Sequence, residues 1–187
     1  MRKTLIAMAM FGVSVGSVSA ASYDLDPAHT YPNFTINHLG FSNMHGHFAK
    51  TAGTLELDLA KKTGSVDVTI DAASIYTGFA KRDEHLRSPD FFNVAEFPTI
   101  TFKSTKVKFT GDKSAEVEGN LTILGKSKPV TLMVTSIVCG ANPMNKKETC
   151  GFDASTKFKR SEFGVNYALP AVGDEVSVTL QIEALKK

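Results

Sequence analysis

Thr54-Leu55-Glu56-Leu57-Asp58-Leu59, a turn at Lys61-Lys62-Thr63-Gly64, and then Ser65-Val66-Asp67-Val68-Thr69-Ile70 form the stretch that decides the fold. Leu55, Leu57 and Leu59 alternate with Glu56 and Asp58, and Val66, Val68 and Ile70 alternate with Asp67 and Thr69. Successive side chains of a strand point to opposite faces. One apolar and one polar face at a period of two therefore mark half-buried antiparallel strands. The short polar, glycine-containing segment between the two runs reads as a hairpin turn.

The alternation continues in both directions. Phe34, Ile36 and His38 share a face opposite Thr35 and Asn37. Ile100 and Phe102 alternate with Thr101 and Lys103, and Val107 and Phe109 resume after a break. Leu121 and Ile123 follow, then Val130, Leu132 and Val134, and finally Val176, Val178, Leu180 and Ile182. Thr110-Gly111-Asp112 and Leu124-Gly125-Lys126-Ser127 supply further turns. About eight short strands joined by hairpins predict a closed barrel or a sandwich. A barrel of that size is filled by its own side chains or holds one small ligand. The 13 Phe, four Tyr and absence of Trp leave this choice open, because a filled core and a lined cavity use the same residues.

One segment departs from the strand pattern, from Phe79 to Val94. Asp83 and Arg87 stand at i, i+4 with the acid first, the favourable order on a helix. Ser88-Pro89-Asp90 reads as the N-cap, N1 proline and first-turn acid of a second short helix, closed off before Phe97-Pro98. Such an insertion either covers one barrel mouth as a lid or plugs apolar core.

At the N-terminus, Arg2 and Lys3 precede an apolar run from Leu5 to Val18, and Val18-Ser19-Ala20 ends it with small residues. This predicts a secretory signal at residues 1–20 and a mature domain at 21–187. The run is too short, and too diluted with Gly and Ser, to cross a hydrocarbon core about 30 Å thick. Cleavage removes two of the 21 Lys and Arg and none of the 19 Asp and Glu, leaving 19 against 19. No basic block remains to suggest nucleic acid or an anionic membrane as partner. Cys139 and Cys150 flank Gly140-Ala141-Asn142-Pro143-Met144-Asn145 and, in a secreted chain, predict a disulfide at the base of a hairpin.

Candidate chemistry is sparse. His45 and His47, with His38 nearby, offer imidazoles for a metal, yet no carboxylate or thiolate stands at a ligand spacing in the next strand, and no metal is expected there. Gly46 also lets this segment turn rather than stay extended. There is no G-x-S-x-G, H-E-x-x-H, P-loop or G-x-G-x-x-G, so a binding protein is expected ahead of an enzyme.

Three motifs decide between filled core and cavity. The opening Tyr23-Asp24-Leu25-Asp26-Pro27-Ala28-His29-Thr30 leads to Phe34-Thr35-Ile36-Asn37-His38-Leu39-Gly40-Phe41-Ser42. Lys81-Arg82-Asp83-Glu84-His85-Leu86-Arg87-Ser88-Pro89-Asp90-Phe91-Phe92 leads to Phe97-Pro98-Thr99-Ile100-Thr101-Phe102-Lys103-Ser104, and Gly119-Asn120-Leu121-Thr122-Ile123-Leu124-Gly125-Lys126-Ser127-Lys128-Pro129-Val130 follows. In this order they resemble the YceI-like family of secreted proteins along the whole mature chain. The resemblance implies an all-β, eight-stranded, lipocalin-like antiparallel barrel holding a long isoprenoid or fatty chain, a periplasmic location and often a homodimer. The G-x-W signature of ordinary lipocalins is missing, so that likeness is architectural.

On this reading the inward-period residues Phe34, Ile36, Phe48, Leu55, Leu57, Val68, Ile70, Ile100, Phe102, Leu121, Ile123, Leu132, Val134, Phe158, Phe163, Val178 and Leu180 line the cavity. His38, His85, Arg87 and Asp90 are the candidates for the ligand's head group, with Arg87 equally able to serve only as a partner of Asp83. The expected ligand is a polyprenyl lipid or a prenylated quinone such as ubiquinone. The acids Asp83, Glu84 and Asp90 offset Lys81, Arg82 and Arg87, which favours a neutral head over a pyrophosphate. Two other readings are a metal-linked or stress-related enzyme using the His38/His45/His47 region, and a surface interaction protein with a structural lipid.

Overall fold

The computed structural model describes residues 20–187, so the signal reading of residues 1–20 lies, but for Ala20, outside the described residues. Eleven strand segments and one α-helix follow in order. They are β1 (Ala21–Leu25), β2 (Tyr31–His38), β3 (Ser42–Phe48), β4 (Thr51–Asp58), β5 (Thr63–Asp71), β6 (Ile75–Tyr76), α1 (Ala80–Arg87), β7 (Thr99–Phe109), β8 (Ala115–Ile123), β9 (Lys126–Ala141), β10 (Glu148–Lys159) and β11 (Val172–Lys186).

Every ladder is antiparallel, and the ring closes in the order β1-β4-β5-β7-β8-β9-β10-β11 with β11 returning to β1. It is a closed eight-stranded barrel. Closure removes the unpaired strand edges that an open sheet would expose. The eleven segments make eight strands because the first three strands are bent. Residues 26–30 separate β1 from β2, Ala49 and Lys50 separate β3 from β4, and a 3-10 turn at Ala72–Ser74 separates β5 from β6. The 3-10 turn is capped by the Asp71 carboxylate, which accepts from Ala73 N at 2.9 Å. The breaks are stitched together: Ala49 N donates to Ser74 O at 3.1 Å and Asp71 N to Lys50 O at 3.0 Å.

Beyond these bends β2, β3 and β6 continue as a three-stranded extension on one side of the barrel, held by β2 against β11. There β6 pairs with β3, while β7 pairs with β5, so the wall is open between β6 and β7. The chain from Thr77 to Pro98, including α1, occupies that gap. Two irregularities preserve the inward phase: Thr105 is the extra residue on β7, between Ser104 and Lys106, and Thr135 is the extra residue on β9, opposite Asp153 and Ala154. The first is the break in alternation ahead of Val107, and a bulge accounts for it.

The helical segment differs from the sequence expectation. Only Ala80–Arg87 is α-helical, and residues 89–92 and 94–96 are turns rather than a second helix. Nor do Asp83 and Arg87 pair. Asp83 Oδ1 accepts from Thr77 N at 2.9 Å and from Thr77 Oγ1, and Arg87 donates to Ala73 O at 2.7 Å and Ile75 O at 3.0 Å. Both side chains reach back to the strand before the helix, where buried backbone groups need partners. The β3 segment stays extended through Gly46, and β4 ends at Asp58, leaving Leu59 in an exposed turn.

Candidate functional site: an apolar cavity with a polar mouth

The inward face of the barrel encloses a cavity of about 470 Å³. Its wall is built from alternate residues of each strand. Phe34, Ile36, Phe48, Leu55, Leu57, Val68, Ile70, Ile100, Phe102, Leu121, Ile123, Leu132, Val134, Phe158, Val178 and Leu180 all lie on it. Phe163 does not. It sits in a 3-10 turn at Arg160–Phe163, after the strand period has ended, and is fully buried with its ring 5.4 Å from that of Phe158. The same alternation brings in Val66, Val107, Phe109, Val117, Val130, Ile137, Phe152, Val176 and Ile182.

Two glycines shape the wall. Gly46 lies on the inward phase of β3 between Met44 and Phe48, and the Phe34 ring lies so close across it that a Cβ would collide with the ring and, at 2.9 Å, with Thr77 Cγ2. The Phe102 ring lies over Gly119 in the same way. Each ring occupies the space that a side chain at the glycine would take, and at Gly119 the Lys103 carbonyl is as close as the ring.

The two ends differ. At one end Tyr23, Leu25, Leu57, Cys150 and Ala184 form a buried cluster, with Cys139, Phe109, Phe152 and Ile182 packed on it. The Cys139–Cys150 disulfide joins residues directly opposite on β9 and β10. Cys150 is fully buried and faces inward, in phase with Phe152 and Ala154, so the bridge is part of the barrel floor. Tyr23 closes this end: its hydroxyl donates to Glu148 Oε1 at 2.8 Å, and Lys186 Nζ donates to Glu148 Oε2 at 2.8 Å. Burial and the neighbouring carboxylate push the Tyr23 pKa up to about 12, while Lys186 and Tyr23 hold Glu148 below its ordinary value.

At the other end the lining becomes polar and reaches solvent through exposed His38, His45, His85 and Tyr167. His85 on α1, Phe91 in the following turn and Tyr167 in the β10–β11 loop meet ring to ring, with centroids 5.0–5.1 Å apart. His85 Nε2 is 2.8 Å from Asp90 Oδ2. Arg82 also lines the cavity, held by Nε to Thr77 Oγ1 and Nη2 to Thr77 O, both at 2.7 Å. Arg160 is 5% exposed and anchors the loop by donating to the carbonyls of Gly173, Val165, Tyr167 and Val172 at 2.8–3.0 Å. Burial lowers its pKa, against the opposing charge of Asp174. A buried cation is costly unless fully bonded, and these carbonyls supply that bonding. Thr51 Oγ1, on the wall and 3% exposed, has no hydrogen-bond partner among the described residues.

Of the head-group candidates, His38 and His85 stand at the mouth, whereas Arg87 is spent on backbone carbonyls and Asp90 reaches the mouth only through His85. Sequence reasoning did not place Arg82, Arg160, Thr51 or Tyr167 at the site; they come from the short helix, a 3-10 turn, a strand bend and a loop, where no strand periodicity points inward. The structure does not gather His38, His45 and His47 into a metal-ligand set. His45 Nδ1 is 3.0 Å from Thr35 Oγ1, and His47 packs between the rings of Tyr31 and Tyr76.

Comparison with known proteins agrees with this architecture. A UPF0312 protein of Azotobacter vinelandii is 37% identical over 192 residues, and Protein YceI of Salmonella arizonae is 38% identical over 192, each alignment covering all of both chains. Among solved structures, BcnA of Burkholderia cenocepacia superposes with a TM-score of 0.76 at 28% identity, over 85% of this chain and 98% of that one. A polyisoprenoid binding domain from Saccharophagus degradans, implicated in plant cell wall breakdown, shares the fold at TM-score 0.67 and 15% identity, over 90% and 99%. The YceI-like domain model matches residues 23–184. With its closed barrel, single short helix and full-length relatives, the chain belongs to the YceI-like family.

Proposed function

We propose that the protein is a periplasmic carrier or buffer that holds one long-chain isoprenoid, a polyprenyl lipid or a prenylated quinone, inside its barrel. The observation that carries this reading is the cavity: about 470 Å³, walled by aliphatic and aromatic side chains, shut at one end and open at the other through a polar rim. Ligand sites of a few hundred Å³, mostly apolar with a few convergent polar groups, are the usual form of small-molecule pockets. Burying an isoprenoid chain gains about 25 cal/mol per Å² of apolar area, so a chain of several prenyl units binds well with few polar contacts. The fold shared with a polyisoprenoid binding domain adds support, and the likeness to a binding domain favours binding over catalysis. A disulfide fits an oxidising compartment, and among the described residues no helix is long and apolar enough to cross a membrane.

The head group would sit among His38, His85, Arg82 and Tyr167. These imidazole and guanidinium donors suit a quinone carbonyl, and Arg82, which among the described residues has no carboxylate within ion-pair distance, also suits a single phosphate. Mass spectrometry under mild conditions, followed by organic extraction, tests the proposal. The expected result is one apolar chain per protein, its head group identified in the extract. The same spectrum reads the homodimer that the family resemblance implies. A barrel that stays empty when offered ubiquinone and polyprenyl phosphate would sink the carrier reading.

A further inference from the structure

The bend between β1 and β2 carries a second group of side chains on the outer surface, away from the cavity. Asp26 and His29 lie in that bend and Glu183 on β11, on the outward phase between Ile182 and Ala184. Glu183 pairs with Gly151 of β10 on one side, but on the other β11 has no strand beside it there, because β1 leaves at Leu25 and β2 joins at Tyr31. The bend fills the place: Asp26 N donates to Glu183 O at 2.8 Å and Thr30 Oγ1 to the same carbonyl at 3.3 Å. Asp26 Oδ1 is fixed by Ala28 N at 2.9 Å, which leaves Oδ2 turned towards the His29 ring. Tyr31 donates its hydroxyl to Ala28 O at 2.8 Å and braces the turn from below.

The result is a nitrogen and two carboxylate oxygens facing one point. His29 Nδ1 is 2.7 Å from Asp26 Oδ2 and 3.9 Å from Glu183 Oε2, and the three ligand atoms all lie within 4.8 Å of one another. A zinc ion with bonds of about 2.0–2.2 Å sets its ligands roughly 3.3 Å apart, so small side-chain rotations suffice. Several surface carboxylates have lysine partners, such as Asp24 with Lys187, Asp67 with Lys103 and Glu175 with Lys157, while others, Glu56 and Asp153 among them, have none. Among the described residues Asp26 and Glu183 belong to the second group, and what sets them apart is the imidazole that they share.

From this geometry we propose that Asp26 Oδ2, His29 Nδ1 and Glu183 Oε2 form a site for a divalent transition-metal ion, Zn²⁺ foremost, with water completing the coordination. One nitrogen and two oxygens suit ions of intermediate softness, and three protein ligands plus water is a known arrangement for zinc. The ion would bridge the two carboxylates and the imidazole and tie the bend between the first two strands to the last one.

The test uses the mature protein stripped with chelator, dialysed to equilibrium against Zn²⁺ and assayed by elemental analysis. One zinc per chain is expected, with affinity about tenfold or more weaker in His29→Ala and in Glu183→Gln, and unchanged in His45→Ala/His47→Ala. His29→Ala also removes the hydrogen bond that holds the bend, so a nitrogen NMR spectrum of the histidine rings supplies an independent reading. Coordination moves the His29 Nδ1 resonance of the wild-type protein when zinc is added. No uptake, uptake unaltered by both ligand substitutions, uptake lost with His45 and His47, or an unmoved His29 resonance would overturn the site.

Discussion

The two ends of the barrel are made of the same inward-facing strand positions and do opposite things. At the floor, aliphatic and aromatic side chains pack around a disulfide, and the Tyr23 hydroxyl is bonded to a carboxylate that is in turn bonded to Lys186. At the mouth, the walls end in segments that are not strands: α1 with its following turns, and the loop from Arg160 to Val172. These touch through the His85–Phe91–Tyr167 cluster rather than through a backbone ladder. Ring contacts contribute about a kilocalorie each, and segments joined by them open at lower free energy than paired strands. The lesson of the contrast is that one end is held by covalent and ladder contacts and the other by ring contacts between loops.

The hardest blow to that contrast is at the floor. Replacing both cysteines, Cys139→Ala/Cys150→Ala, is expected to cost about 3 kcal/mol by the chain-entropy account of a loop this short. Denaturant titration reads the loss, and the ligand dissociation rate should change little. A rate that rises along with the lost stability would mean that floor and mouth are not separate.

Tyr23 sharpens the floor's side of the comparison. Its folded pKa, near 12 against an ordinary 10.0, makes its contribution fully present below pH 10 and lost as pH rises towards 12. The shift corresponds to something on the order of 2 kcal/mol. Wild-type stability should therefore fall more steeply than that of Tyr23→Phe between pH 10 and pH 12. Parallel curves for the two proteins would show that the hydroxyl is not held as described.

The smallest effect on stability is expected at the mouth. Tyr167→Ala removes a half-exposed ring and should cost no more than about 1 kcal/mol, yet speed ligand release several-fold, as measured by transfer of a fluorescent prenyl probe to an acceptor. Unchanged release would remove the ring cluster from any gating role.

Much of the wall was legible because alternation is a direct consequence of strand geometry. Leu55, Leu57, Val68 and Ile70 face the cavity in the phase that their polar neighbours Glu56, Asp67 and Thr69 dictate, and even the bulge before Val107 shows as a gap in the period. Legibility ends where strands end. Phe163 has the composition of a wall residue, but it follows Lys159 into a 3-10 turn, where the period of two no longer applies. The i, i+4 rule paired Asp83 with Arg87, but it weighs only the helix. Thr77 and the carbonyls of Ala73 and Ile75 lie on a chain segment that the rule cannot see, and they bind the two side chains separately. For the same reason Arg82 on α1 and Tyr167 in the β10–β11 loop, both on the cavity lining, carried no signal.

The ring lying over Gly46 has a consequence for how this barrel can diversify. A Cβ added there would meet side chains alone, the Phe34 ring and Thr77 Cγ2, and would push Phe34 off its place while the β2–β3 ladder stayed paired. At Gly119 the same change would also meet the Lys103 carbonyl and strain the β7–β8 ladder. Gly46 is therefore the caliper of the pair: a single-codon step there alters the bore at one depth, with no rebuilding of the floor, the disulfide or the strand order.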